Sequence, residues 1–196
     1  MKSIIYWHPA IYTLAMRFLY RKYFRERYRK IVDLIPAEAE IIDICCGDCY
    51  IYFHYLNDKN VKYLGLDINK TFINAAIKKG ARAEQFDILK DHLPHSDYIL
   101  MLASMYHFIP MQDYVIQKIL NATRKTAIIS EPVINLSTSD NIFISSISKI
   151  LTSVGTGHSS ERFNKDTLLA FFSKHNVTNV YEVEGGREMI GVFNRE

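Results

Sequence analysis

The chain has 196 residues with a net charge of +3, and 48% of it is hydrophobic and 23% charged. That balance suits one globular domain with a small attachment, and 13% aromatic residues at low net charge exclude a disordered chain. The three cysteines, Cys45, Cys46 and Cys49, fall within five positions, which excludes a disulfide scaffold.

The opening MKSIIYWHPAIYTLAM carries one early lysine, has His8 and Pro9 inside its apolar stretch and lacks a small-x-small cleavage site, so it does not read as a signal peptide. No uncharged run approaches the ~20 residues that span a bilayer, and a cytoplasmic protein with reduced thiols is expected. From about Tyr12 to Leu34 the chain lacks Gly and Pro and reads as a long helix. Its apolar stripe is Ile11, Leu14, Ala15, Phe18 and Leu19, resumed by Ile31, Val32 and Ile35, and Pro36 stops it. Between Arg17 and Lys30 stand seven basic residues and one acid, a net +6 that leaves −3 on the rest of the chain. Such an arm is either a solvated helix face or a contact for something anionic. Because it pairs Lys and Arg with Tyr and Phe, peripheral membrane contact through this helix is one such option.

After Pro36 the period changes. Glu40-Ile-Ile-Asp-Ile-Cys predicts a short strand collapsing into Gly47, followed by a helical stretch through Leu56. Val61–Leu66 predicts a strand ending at Asp67, Lys70–Lys79 a helix closed by Gly80, and Arg82–Phe86 a strand ending at Asp87. Asp97–Ala103 predicts an apolar strand, Met111–Ala122 a helix, and Thr126–Ser130 a strand ending at Glu131 and Pro132. This alternation means βαβ units and a parallel sheet buried on both faces. Helical stretches near Asn141–Leu151 and Lys165–His175 follow. Val177–Val183 and Glu188–Phe193, joined through Gly185-Gly186, then predict an antiparallel hairpin. The expectation is an N-terminal helical extension, 1–36, on one α/β core, 37–196.

In an open parallel sheet, ligands bind beyond the carboxyl ends of the strands at the switch in strand order. The polar residues of this chain fall at those ends: Asp43, Cys45 to Cys49, Asp67, Asp87, Ser104 with Tyr106 and His107, and Glu131. Asp67 lies 20 residues after Gly47, the spacing at which an acid reaches a ribose diol. A carboxylate fits there because it only accepts hydrogen bonds. Asp87, by the same logic, suits an adenine amino group.

Asp43-Ile-Cys-Cys-Gly-Asp-Cys resembles the Asp-x-Gly-x-Gly-x-Gly loop of class I S-adenosylmethionine-dependent methyltransferases. Leu64-Gly-Leu-Asp-Ile-Asn resembles their ribose-holding motif, and Phe86-Asp-Ile-Leu the adenine-contacting stretch. Tyr98-Ile-Leu-Met-Leu-Ala-Ser-Met-Tyr-His-Phe resembles the fourth strand with its loop; Glu131-Pro132 and Glu161-Arg-Phe-Asn resemble later landmarks of the small-molecule branch. The resemblance, from about Glu40 onward, implies a doubly wound, mostly parallel seven-stranded sheet closed by an antiparallel hairpin. It implies S-adenosylmethionine as cofactor, held by Asp43, Cys45, Gly47, Asp67, Ile68, Asp87, Ile88 and Ala103, and methyl transfer by in-line displacement. The acceptor is then a small molecule, anionic or lipid-like, contacted by Tyr12, Tyr20, Tyr106 and Arg162. The N-terminal helix becomes a lid, and His107 and Glu131 become candidate general bases. The family's first and third glycines are Cys45 and Cys49 here. A Cβ disfavours positive φ, so a loop following a mainly negative-φ path is expected.

Other classes carry weight on particular residues. Cys46-Gly-Asp-Cys49 is a C-x-x-C at a strand–helix junction, where a helix dipole lowers a thiol pKa, so a thiol oxidoreductase is one alternative. No second C-x-x-C or His pair stands at ligand spacing, and no metal is expected. A nicotinamide dehydrogenase would need G-x-G-x-x-G, of which only Gly47 is present. A cofactor-binding module without catalysis is the remaining alternative. The acidic core and short length weigh against a nucleic-acid substrate.

Overall fold

A computed structural model describes residues 23–133, 162–183 and 185–195. Tyr12 and Tyr20, expected to contact the acceptor, the basic arm's Arg17, Arg21 and Lys22, and the helix expected at Asn141–Leu151 lie outside the described residues. Among the described residues no helix is long and apolar enough to cross a membrane.

Seven strands form one sheet in the order β3-β2-β1-β4-β5-β7-β6. They are β1 (Glu40–Ile44), β2 (Lys62–Asp67), β3 (Ala83–Gln85), β4 (Ser96–Leu102), β5 (Thr123–Pro132), β6 (Asn179–Glu182) and β7 (Glu188–Asn194). β1 to β5 pair in parallel, whereas β7 runs antiparallel to both β5 and β6. The order reverses between β1 and β4, so the crevice beyond their carboxyl ends is where such a sheet takes a ligand.

Alternate residues of each strand face two separate cores, which is why the strands read as unbroken apolar runs. Ile42, Ile44, Ile99, Met101, Ile129 and Phe193 face α3 (Gln112–Ala122) and α4 (Lys165–Lys174), which contribute Ile116, Ile119, Leu168 and Phe172. Ile41, Tyr63, Leu100, Ile128 and Ile190 face α1 (Tyr23–Asp33) and α2 (Lys70–Lys78) through Tyr28, Ile31, Val32 and Ile73. The spacing of Tyr28, Ile31, Val32 and Ile35 is one helical stripe, and all four are buried.

The helix ends are built from local chemistry. Lys59 Nζ donates to the carbonyls of Val32 and Ile35, both at 2.6 Å, placing a cation on the last turn of α1. Asn69 caps α2 by accepting from Thr71 N, and Asn164 with Thr167 forms a capping box on α4. α3 passes into β5 without a loop, because Thr123 Oγ1 donates back to the carbonyl of Ile119 at 2.8 Å. β5 is accordingly longer than the Thr126–Ser130 expected. The helical stretch expected through Leu56 takes the form of a π-helix, Tyr52–Leu56, followed by a 3₁₀ turn at Asn57–Lys59.

Candidate active site

α1 lies along the sheet with its C-terminal end near the start of β1 and Arg27 at the opposite, carboxyl edge. There Arg27 Nη1 meets the Glu188 carboxylate at 3.3 and 3.4 Å, and Ser130 Oγ donates to Glu188 Oε1. Arg27 and Glu188 are 3% and 2% exposed, so this pair is desolvated as well as joined. Arg27 also donates to Tyr28 Oη at 2.7 Å. One member of the expected basic arm is therefore an internal cation, spent on neutralising β7. Sequence reading missed it: its buried position on α1 is the same as any helical i, i+1 neighbour of Tyr28, and its partner is 161 residues away.

On the β1–β2 side, Asp67 ends β2 with its side chain turned across the tip of β1. Gly47 N donates to Asp67 Oδ2 at 2.9 Å and Asn69 N to Oδ1 at 2.7 Å. Each carboxyl oxygen keeps a second lone pair for a hydroxyl donor. Burial holds the Asp67 carboxyl above its ordinary range, and the two N–H donors pull it partly back. The next residue, Ile68, is 63% exposed, an apolar surface standing beside the acid. Asp87 sits in the turn after β3, where its carboxylate accepts from Leu89 N at 3.1 Å and pairs with Lys90 at 3.1 Å. Ile88 beside it is buried in the core.

Asp43 is 3% exposed inside β1, and Tyr63 Oη donates to its Oδ2 at 2.7 Å. Tyr63 was not anticipated, although parallel register places it diagonal to Asp43 on the same sheet face, through the pairs Ile41–Tyr63 and Asp43–Gly65. Burial pushes Asp43 up to about 7; the Tyr63 hydrogen bond opposes this, and the neighbouring Asp67 and Asp48 reinforce it. A cation beside Asp43 would restore its charge.

The turn between β1 and the π-helix departs from expectation. Cys45 has φ +57°, Gly47 φ +56° and Cys49 φ +58°, so both cysteines adopt the left-handed conformation that a negative-φ path would have avoided. The cost, typically about 1–3 kcal/mol per strained residue, is tolerated because the surroundings determine the turn. Cys46 N donates to Leu66 O, Cys49 N to Cys46 O and Gly47 N to Asp67. A Cβ at Gly47 would come no nearer than 4.0 Å to Phe72, so that side of the turn is open. Contact with Cys49, then burial, holds the Cys46 thiol well above its usual pKa; burial does the same for Cys45, reinforced by the charges of Asp67, Asp43 and Glu131.

On the β4–β5 side, Ala103 follows β4 at φ +50° with its N–H donating to Ser130 O, and Met105–Phe108 forms a 3₁₀ turn. Glu131 is fully buried. Its Oε1 accepts from Ser104 N at 2.7 Å and Met105 N at 2.5 Å, while Oε2 has no partner among the described residues. Burial raises Glu131 to about 8, with the backbone donors pulling back and Glu188 adding repulsion. The Tyr106 and His107 rings lie 3.9 Å apart between centroids, tilted by 45°, and the Arg162 guanidinium lies 3.5 Å above the Tyr106 ring. Arg162 also lines a cavity of about 420 Å³ with Ile109, Gln112, Phe163, Phe171 and Lys174. The structure thus brings Asp43, Cys45, Gly47 and Asp67 together on one side of the switch point, and Tyr106, His107, Glu131 and Arg162 on the other.

The strand order, the reversed β7 and the acids at the switch point define the fold of class I S-adenosylmethionine-dependent methyltransferases. Solved structures agree in fold. Magnesium protoporphyrin IX methyltransferase from Synechocystis PCC 6803, with bound SAH, superposes with a TM-score of 0.68 at 11% identity, covering 92% of this chain and 87% of its own. A TehB-like SAM-dependent methyltransferase from Corynebacterium glutamicum gives 0.65 at 18% identity, covering 96% and 98%. A chain of the complex between the Haloferax volcanii Trm112 methyltransferase activator and a methyltransferase gives 0.70 at 8% identity, covering 98% and 97%. No curated protein matches in sequence. The chain belongs to the MetW family: residues 25–138 match the family described as methionine biosynthesis protein MetW. That stretch takes in the turn, Asp67, Asp87 and Glu131, and leaves α4 and the β6–β7 hairpin outside.

Proposed function

We propose that this chain is a methyltransferase that binds S-adenosylmethionine at the carboxyl ends of β1 and β2 and methylates a small molecule presented from the β4–β5 side. The observation that carries this reading is the Asp67 carboxylate, locked by the N–H groups of Gly47 and Asn69 at the switch point. The residues fit the cofactor: an acceptor-only group for a ribose diol, the exposed Ile68 for an adenine face, an open backbone at Gly47, and Asp43 for a cationic amine. When bound, the cofactor supplies a methyl group on a sulfonium, already a strong electrophile.

The chain's own task is then alignment, which can supply ~7–11 kcal/mol without a nucleophile or a metal. Glu131 holds the 104–106 backbone and thereby sets where Tyr106 and His107 stand, a positioning role rather than that of a base. His107 remains the first candidate to take a proton from an oxygen or nitrogen acceptor, a help of about 10²–10⁴-fold where one is needed. The cavity beside Arg162 combines apolar walls with the Arg162 cation and the Lys174–Asp113 ion pair at 2.8 Å, so Arg162 alone favours an anionic group on an acceptor with an apolar body. The raised Cys46 thiol disfavours the fast catalytic turnover of a thiol oxidoreductase, while leaving slow stoichiometric thiol exchange open to it.

The test is methyl transfer from labelled S-adenosylmethionine across small carboxylate, phosphate, phenol and amine acceptors. His107→Ala is expected to lower turnover at least tenfold with little change in cofactor affinity. Equal turnover of the variant would reduce His107 to a helix-turn residue. Cofactor binding without transfer to any acceptor would favour the non-catalytic module.

A further inference from the structure

The cysteine turn holds a pair of sulfurs that methyl transfer does not use. Cys46 and Cys49 are the first and fourth residues of a turn closed by Cys49 N donating to Cys46 O at 3.0 Å. Such a turn keeps its end Cα atoms within about 7 Å, and a disulfide needs about 4.4–6.8 Å. The thiols already touch, with Cys49 Sγ 3.6 Å from Cys46 Sγ. The pocket that holds them exists because residue 65 is glycine: a Cβ there would lie 2.7 Å from Cys49 Sγ and 2.9 Å from Cys46 Sγ. Cys45 packs with the core on the opposite face of the sheet, so only one pairing is set up. Cys46 is half-buried and Cys49 fully buried, which assigns an order of reaction.

We propose that Cys46 and Cys49 are a dithiol that closes reversibly to an intramolecular disulfide by exchange with a low-molecular-weight disulfide such as oxidised glutathione, and that closure weakens cofactor binding. The deprotonated Cys46 sulfur attacks one sulfur of the oxidant, forming a mixed disulfide and releasing one thiolate. Cys49, losing its proton, then attacks the Cys46 sulfur and expels nothing but the second low-molecular-weight thiolate. The two expelled thiolates take up the two protons; the protein loses two electrons and the oxidant gains them. An S–S bond of about 2.05 Å draws the sulfurs together by roughly 1.5 Å. The segment it pulls on contains Gly47, whose N–H fixes Asp67, so the second half of the proposal rests on the cofactor reading above.

The full chain, incubated with oxidised glutathione, is expected to lose two hydrogens by intact mass, and after unfolding only Cys45 should be alkylated. Three alkylatable thiols, a lasting glutathione adduct on the native chain, or a disulfide involving Cys45 would overturn the pairing. Cys49→Ser should stop at the mixed disulfide on Cys46; a chain that takes up no glutathione would contradict the assigned order. Calorimetry with S-adenosylhomocysteine should then show affinity falling about tenfold on oxidation and returning with dithiothreitol. Equal affinity in both forms overturns the switch. Absence of binding in both forms overturns the cofactor reading and the switch with it, while the mass result still decides the disulfide.

Discussion

The two sides of the switch point hold their carboxylates in opposite ways. At β1–β2 the backbone holds the acid: two N–H groups clamp Asp67 and leave lone pairs facing outward. At β4–β5 the acid holds the backbone: Glu131 spends Oε1 on Ser104 N and Met105 N and is itself fully buried. Glu188 on β7 goes further, since it is held by Arg27 from α1 and serves neither a loop nor a surface. A part-exposed carboxylate poised by N–H donors suits a ligand, whereas one shut away from solvent, as Glu131 is even with Oε2 unpartnered among the described residues, suits architecture. The contrast separates residues that residue type alone would place in one class.

The largest effect that sharpens this comparison should come from Arg27→Ala. It leaves Glu188 buried without its cation, and destabilisation of about 3–5 kcal/mol is expected by chemical denaturation. If Glu188 were instead a ligand-facing acid, stability would hardly move. Next comes the pH dependence. Glu131 has its folded pKa raised to about 8 from 4.5 and Asp43 to about 7 from 3.8. The folded state therefore keeps protons that the unfolded chain releases. Their stabilisation is complete below the unfolded values and is lost as pH rises through about 7 and 8. Each group contributes a downward slope of up to about 1.4 kcal/mol per pH unit, and Glu131→Gln should flatten the part reaching pH 8 while leaving turnover at pH 7 within about threefold. A turnover collapse in Glu131→Gln would return Glu131 to the role of base. The smallest stability effect is expected from Asp43→Asn, which removes only the slope below about pH 7. The same change should weaken binding of the cofactor's cationic amine by about tenfold; a cofactor affinity indifferent to it would make Asp43 a purely internal partner of Tyr63.

The legibility of the two sides in sequence follows the same division. Asp67 and Gly47 are 20 residues apart within one βαβ unit, so a strand, a glycine turn and an acid at the next strand end were enough to pair them. Asp43 and Glu131 were visible as strand-end acids, but their surroundings were not. Tyr63 reaches Asp43 through sheet register, and the Glu131 contacts require knowing that β4 and β5 are neighbours. Arg27 and Glu188 meet only because β7 inserts antiparallel beside β5, a choice no local pattern encodes. The cysteine turn was misjudged for a different reason. Positive φ at Cys45 and Cys49 opposes local preference and persists because backbone hydrogen bonds to β2 and within the turn override it.

The central claim is that Asp67, set by the Gly47 and Asn69 amides, holds the ribose of S-adenosylmethionine. Isothermal titration of the reduced chain with S-adenosylhomocysteine, repeated on Asp67→Ala, tests it most directly. One-to-one binding to the native chain that weakens at least about 100-fold in Asp67→Ala is the expected result. Equal affinity in a folded Asp67→Ala chain would contradict it.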